Sequence, residues 1–80
     1  MSREGPLRDR IGYVEHHSGA LIVNCKMYRA RHIFEADDGN LYVEQSVAGI
    51  SKFTSLDEAL DAINKHPDKY AIAAGVKKQG

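Results

Sequence analysis

The chain has 80 residues, 42% of them hydrophobic, and its eleven basic and eleven acidic side chains cancel. A length of this order makes one domain with a core that is marginal without a staple or a second copy, so a homodimer is one expected way to complete it. The nil net charge excludes the uniformly basic body of a non-specific DNA binder, and the single Cys25 excludes an internal disulfide framework and fits a reducing compartment.

Residues 1–10 carry Arg3, Glu4, Arg8, Asp9 and Arg10 around Gly5-Pro6 with no apolar periodicity, and are expected to be a flexible N-terminal tail. This charged start matches no signal peptide, and no apolar run is long enough to span a bilayer. The expectation is a cytoplasmic protein with no membrane association, in the host-cell cytoplasm if phage-encoded. Residues 77–80, Lys77-Lys78-Gln79-Gly80, are expected to form a flexible C-terminal tail, leaving 11–76 as a single α+β domain.

Residues 11–16 alternate Ile11, Tyr13 and Glu15 with Gly12, Val14 and His16, which predicts a short edge strand. After turn residues His17-Ser18-Gly19, residues 20–27 place Leu21, Val23, Cys25 and Met27 on one side of a second strand, giving a first hairpin. Near residues 26–29 the apolar phase changes, as a bulge or a break between two strands would require. Cys25 reads as a small buried hydrophobe, with a reactive thiol or an intermolecular bridge as the alternatives.

Residues 28–53 are the organising stretch. Asp38-Gly39 between two alternating runs is a hairpin signal, and a two-residue type I′ turn pairs Ala36 with Leu41, Phe34 with Val43 and His32 with Gln45 on a core face. The other, wet face then pairs Glu35 with Tyr42, Ile33 with Glu44 and Arg31 with Ser46. Beyond it, Ser55 with Glu58 three residues later matches a capping box, and Leu56, Ala59, Leu60 and Ile63 form one apolar stripe. A helix over about 55–66 is predicted to cover one sheet face, ended by Pro67. The short element after Pro67 alternates as a strand would, yet its Pro67-Asp68 start and Gly75 end favour a short helix. The fold class is therefore α+β, an antiparallel sheet of three to four strands with one amphipathic helix and a short C-terminal element.

Little in the chain points to catalysis. The four histidines, His16, His17, His32 and His66, stand at no ligand spacing and read as surface or turn residues, so no metal site is expected. There is no Gly-rich phosphate loop, nucleophile elbow or Cys/His motif, and Asp37-Asp38 is accounted for by turn chemistry. The expectation is a non-enzymatic protein with no cofactor and no catalytic residues. What remains is surface: Lys26, Arg29, Arg31 and Tyr42 combine cations with an aromatic ring, as interface anchors or phosphate contacts do. Glu35, Asp37, Asp38 and Glu44 form an acidic neighbour to them, and with Asp57, Glu58 and Asp61 they can imitate nucleic-acid phosphates toward a basic partner. These eight residues, Lys26, Arg29, Arg31, Glu35, Asp37, Asp38, Tyr42 and Glu44, are the expected partner-binding set.

In size, and in its strand-hairpin-helix order with Phe53, Ser55 and Asp57 at the helix entry, the chain resembles small phage-borne anti-CRISPR proteins that inhibit type I surveillance complexes. That resemblance implies a protein-binding inhibitor that blocks nucleic-acid binding by a subunit of such a complex. Three strands followed by Phe53-Thr54-Ser55-Leu56-Asp57-Glu58-Ala59 also resemble the arm-binding domains of phage and transposon integrases, with Lys26, Arg29 and Arg31 at the DNA-reading positions. The runner-up is thus a sheet-reading DNA-binding module, and the third reading a structural or dimerisation subunit.

Overall fold

The computed structural model describes residues 5–73. Helix α1 (Gly5–Ser18) comes first, followed by strands β1 (Ile22–Tyr28), β2 (Arg31–Ala36), β3 (Leu41–Glu44) and β4 (Ile50–Phe53). Helix α2 (Leu56–Lys65) and a single 3₁₀ turn, Pro67–Lys69, complete the order. The four strands form one antiparallel meander in the order β1-β2-β3-β4, which bears out the α+β class.

Helix α1 corrects the first part of the sequence reading, since residues 5–10 are helical and residues 11–16 are not a strand. Leu7, Ile11 and Val14 are spaced by four and then three, which puts them on one helical face, and Val14 is fully buried. Pro6 sits in the first turn, where its missing N–H costs nothing. Gly19 follows the last turn at φ 80° and donates its N–H to the Glu15 carbonyl at 2.8 Å, an αL cap. Residues 1–4 of the expected 1–10 tail and the expected 77–80 tail lie outside the described residues, as do residues 74–76 of the expected domain.

The hairpin turns also differ from expectation. Tyr28 pairs with Arg31, so the two-residue turn is Arg29-Ala30, with φ 50° and 68°. Positive φ at both positions is the type I′ geometry that matches strand twist, adopted here without glycine. The phase change near residue 28 is thus a break between separate strands, and the bulge lies farther back, at Val23. Between β2 and β3, the Ala36 N–H donates to the Asn40 carbonyl at 3.0 Å, and Phe34 pairs with Tyr42. The loop is Asp37-Asp38-Gly39, three residues long with Gly39 at φ 86°. Relative to a two-residue loop this is a slip of one position, and a slip of one exchanges the faces of every following side chain.

Both sheet faces are covered in consequence. On one, α2 brings Ala59 and Ile63 against Ile33, Leu41 and Val43, with Tyr70 closing the layer. On the other, α1 brings Val14 against Phe34, Ala36 and Tyr42. Burying an Ile, Val or Phe side chain contributes about 1.5–3 kcal/mol, so the two layers share the sheet as their common wall and each leans on the other. The α2 start follows expectation: the Ser55 hydroxyl accepts from Glu58 N–H at 3.2 Å, while the Glu58 carboxylate reaches the Thr54 N–H at 3.1 Å rather than that of Ser55.

The helix expected to start at Pro67 is a single 3₁₀ turn, Pro67–Lys69, and residues 70–73 after it are extended rather than helical, while the expected Gly75 end lies outside the described residues. Tyr70 bridges Gln45, Ser46 N–H donates to the Lys69 carbonyl at 2.8 Å, and Ala71 N–H donates to the Glu44 carbonyl at 3.0 Å. Ala73 N–H then reaches the Ala30 carbonyl at 2.7 Å. This segment links the end of β3 to the β1–β2 turn, where regular β2–β3 pairing has stopped.

Candidate functional site

The register decides the fate of the expected binding set. Arg31, Tyr42 and Glu44 are only 9%, 4% and 7% exposed, so the sheet face that was to present them to a partner is not a surface. Tyr42 and Glu44 lie under α1, and Arg31 lies toward α2 and the segment that follows it.

Arg31 is a strut. Its guanidinium donates to the Arg29 carbonyl in the β1–β2 turn and to the Pro67 carbonyl at 2.6 Å, and it has no acidic partner among the described residues. Its Nε is buried without a hydrogen bond. Arg29 itself is exposed and donates to Asn64 Oδ1 at 2.9 Å, an acceptor shared with the Tyr28 hydroxyl at 3.1 Å. The strained turn is thereby tied to both the last turn of α2 and the 3₁₀ turn.

Glu44 lines a half-open cleft of about 490 Å³ together with Asp9, Arg10, Tyr13, Gln45, Ser46, Val47 and Ala48. Arg10 Nη1 donates to the Glu44 carboxylate at 2.9 Å. Burial pushes the Glu44 carboxyl above its ordinary range, and the Arg10 charge and hydrogen bond offset this in part. The same cation reinforces what burial does to His32, whose imidazole is held below its usual value. Tyr13 accepts the Gly49 N–H at 2.8 Å and fixes the β3–β4 loop at the cleft rim. No nucleophile is paired with a base in this cleft, and no group of three metal-ligating side chains occurs among the described residues. The cleft offers a carboxylate–guanidinium pair and amide groups, which bind and orient. Sequence reasoning missed Arg10, since nothing in a charged stretch marks which arginine meets a carboxylate 34 positions away.

The remaining expected residues stay at the surface but separate. Lys26 and Glu35 are adjacent across β1 and β2, 3.8 Å apart, and Asn24 also donates to Glu35 at 2.8 Å. Asp37 accepts the Leu21 N–H at 3.2 Å, and Asp38 accepts the Asn40 N–H at 2.9 Å and the Tyr42 hydroxyl at 2.6 Å. The Tyr42 bond, with that of Asn40, holds the Asp38 carboxyl below its usual range, and the same bond raises the Tyr42 phenol.

Charge is distributed along the strand axis. Leu41 pairs with Phe53, so the entry to α2 with exposed Asp57 and Glu58 lies at the same end of the sheet as the exposed Asp37-Asp38 turn. Lys52 is the cation near this end, close enough to act on Asp38. At the other end stand Arg29, Lys65 and Lys69, gathered by the Arg29–Asn64 bond and the 3₁₀ turn. The Asp37-Asp38 turn and the α2 start therefore form an acidic end, whereas at the Arg29 end Asp61, 3.3 Å from Lys65, and Asp68 beside Lys69 offset part of the positive charge.

No helix among the described residues is long and apolar enough to cross a membrane. Comparison of the chain with protein-family models, curated proteins and solved structures gives no match.

Proposed function

We propose that the protein is a small non-enzymatic inhibitor of the anti-CRISPR kind, acting in the cytoplasm, whose acidic end occupies a phosphate-binding surface on a type I surveillance complex. The observation that carries this is the gathering of Asp37, Asp38, Asp57 and Glu58 at one end of the sheet from two elements separate in sequence. Carboxylates held on a rigid turn and a capped helix start present charge without first having to be ordered, which favours fast, specific docking on a basic groove. A DNA-reading sheet of the integrase arm-binding kind has less support, because helices cover both sheet faces and Arg31 is engaged internally.

The test is target-DNA binding by a panel of purified type I surveillance complexes, with the protein added before DNA. Wild type should abolish binding by at least one complex. The D37N/D57N variant, which keeps the shapes of both side chains, should inhibit about tenfold more weakly, the equivalent of about 1.4 kcal/mol. Unchanged DNA binding across the panel refutes the reading, and equal inhibition by wild type and variant refutes the acidic end as the contact.

A further inference from the structure

A second surface lies along β1, one of the two outer strands of the sheet. Because Tyr28 and Arg31 flank a two-residue turn, they exchange ladder hydrogen bonds; Tyr28, Lys26 and Asn24 therefore direct their backbone groups at β2. Cys25 and Met27 alternate with them and direct N–H and C=O outward, where no strand pairs with them among the described residues. Large apolar side chains accompany this open edge: Leu21, Val23 and Met27 are 61%, 67% and 47% exposed. An edge of this kind is a template for another strand, and proteins blunt it with charges or bulges. Here the one cation of the strand, Lys26, is turned to Glu35 at 3.8 Å, and the bulge at Val23 leaves the stretch after it regular.

The sequence of β1 names the partner. Ile22-Val23-Asn24-Cys25-Lys26-Met27-Tyr28 reads apolar, apolar, polar, Cys, polar, apolar, apolar from either direction. Antiparallel pairing about a two-fold axis through Cys25 sets Val23 against the partner subunit's Met27, Asn24 against the partner subunit's Lys26 and Ile22 against the partner subunit's Tyr28. No like charges face each other, and the residue at the centre of the palindrome is one whose backbone groups point outward. Self-complementarity about a two-fold is what an isologous interface requires. We propose that two copies of the chain join edge to edge through β1, centred on Cys25, into one continuous eight-stranded antiparallel sheet.

Light scattering on the full chain across the micromolar range should give a mass near twice 8.9 kDa that falls on dilution. Val23→Lys, a change at an exposed position, should give 8.9 kDa throughout, with a concentration-independent thermal midpoint equal to that of wild type diluted to the monomer. Amide hydrogen exchange supplies the register: in the dimer, the Cys25 and Met27 N–H groups should exchange as slowly as those of Asn24 and Lys26, and in the V23K variant they should exchange at solvent-exposed rates. A monomeric wild type with fast Cys25 and Met27 amides overturns the proposal and leaves the edge to a strand from a different protein. A dimer in which these two amides stay fast, or one that survives V23K, overturns it by placing the interface elsewhere.

Discussion

Replacing Ala30 by glycine should stabilise the protein, against the usual rule that glycine weakens a fold. Ala30 sits at φ 68° beside Arg29 at φ 50°, in the turn that joins β1 to β2. A left-handed conformation costs an L-residue roughly 1–2 kcal/mol, a cost that glycine does not bear. Glycine in turn widens the unfolded ensemble, at about 0.4–1 kcal/mol. The difference leaves a gain of about 0.5–1 kcal/mol, and for a domain of this size each kcal/mol moves the midpoint by roughly 4–8 °C. The Ala30 carbonyl keeps its bond from Ala73 N–H, so nothing else is lost but one methyl group. Gly39→Ala is the opposing control: a Cβ there meets nothing within 4 Å, so its loss of stability reports the φ of 86° alone. Thermal and urea unfolding should therefore move in opposite directions for A30G and G39A. A destabilised A30G would show that the Arg29-Ala30 turn does not hold positive φ, and the β1–β2 register would fall with it.

Three further outcomes test the supporting structure. Ser55→Ala removes the acceptor for Glu58 N–H and should cost about 1 kcal/mol in urea unfolding; no change would mean that Glu58 on Thr54 caps α2 alone. Glu44 has its folded pKa raised by burial, so its contribution to stability is fully present below the unfolded carboxyl value of about 4.3 and is lost as pH rises through the raised value. Glu44→Gln should accordingly gain on wild type as pH rises from acid to neutral; if wild type gains instead, the Arg10 ion pair outweighs desolvation. The Cys25 thiol is pushed up by burial and then by Glu35, so a disulfide reagent at mildly alkaline pH should react more slowly with the folded than with the unfolded chain, and equal rates would refute this.

How much of this was legible can be argued from particular residues. Helix α2 was, because its cap, its stripe of Leu56, Ala59, Leu60 and Ile63 and its stop at Pro67 all agree. Helix α1 was not, because Ile11, Tyr13 and Glu15 satisfy an alternating pattern while Leu7, Ile11 and Val14 satisfy a helical one. The bracketing Pro6 and Gly19 were the signal that separates the two. At the β2–β3 turn, Asp38-Gly39 marked the right place and the wrong length, since Asp37-Asp38-Gly39 with glycine in the left-handed position is the three-residue solution. That single slip moved Tyr42 and Glu44 from the expected wet face to the face under α1. The missed helix removed the idea of a wet face altogether, and with it Tyr42 and Glu44 from the expected binding set.

A sheet sandwiched between two helices still offers its edges and its ends, and the two surfaces proposed for this protein are of those kinds. They are also coupled by geometry. Antiparallel pairing of β1 with its copy reverses the strand axis from one subunit to the other, so the acidic Asp37-Asp38 end of one subunit lies beside the Arg29 end of its neighbour. The two acidic ends then point in opposite directions from one rigid sheet. In the proposed dimer each would meet its own target, so two target complexes would be held rather than one gripped twice, and no avidity would be gained on a single complex. Val23→Lys distinguishes these arrangements without touching the acidic end. The monomeric variant should retain inhibition per subunit at unchanged midpoint while losing the ability to bridge two complexes in a single particle. A variant that loses inhibition along with dimerisation would place β1 itself in the target interface.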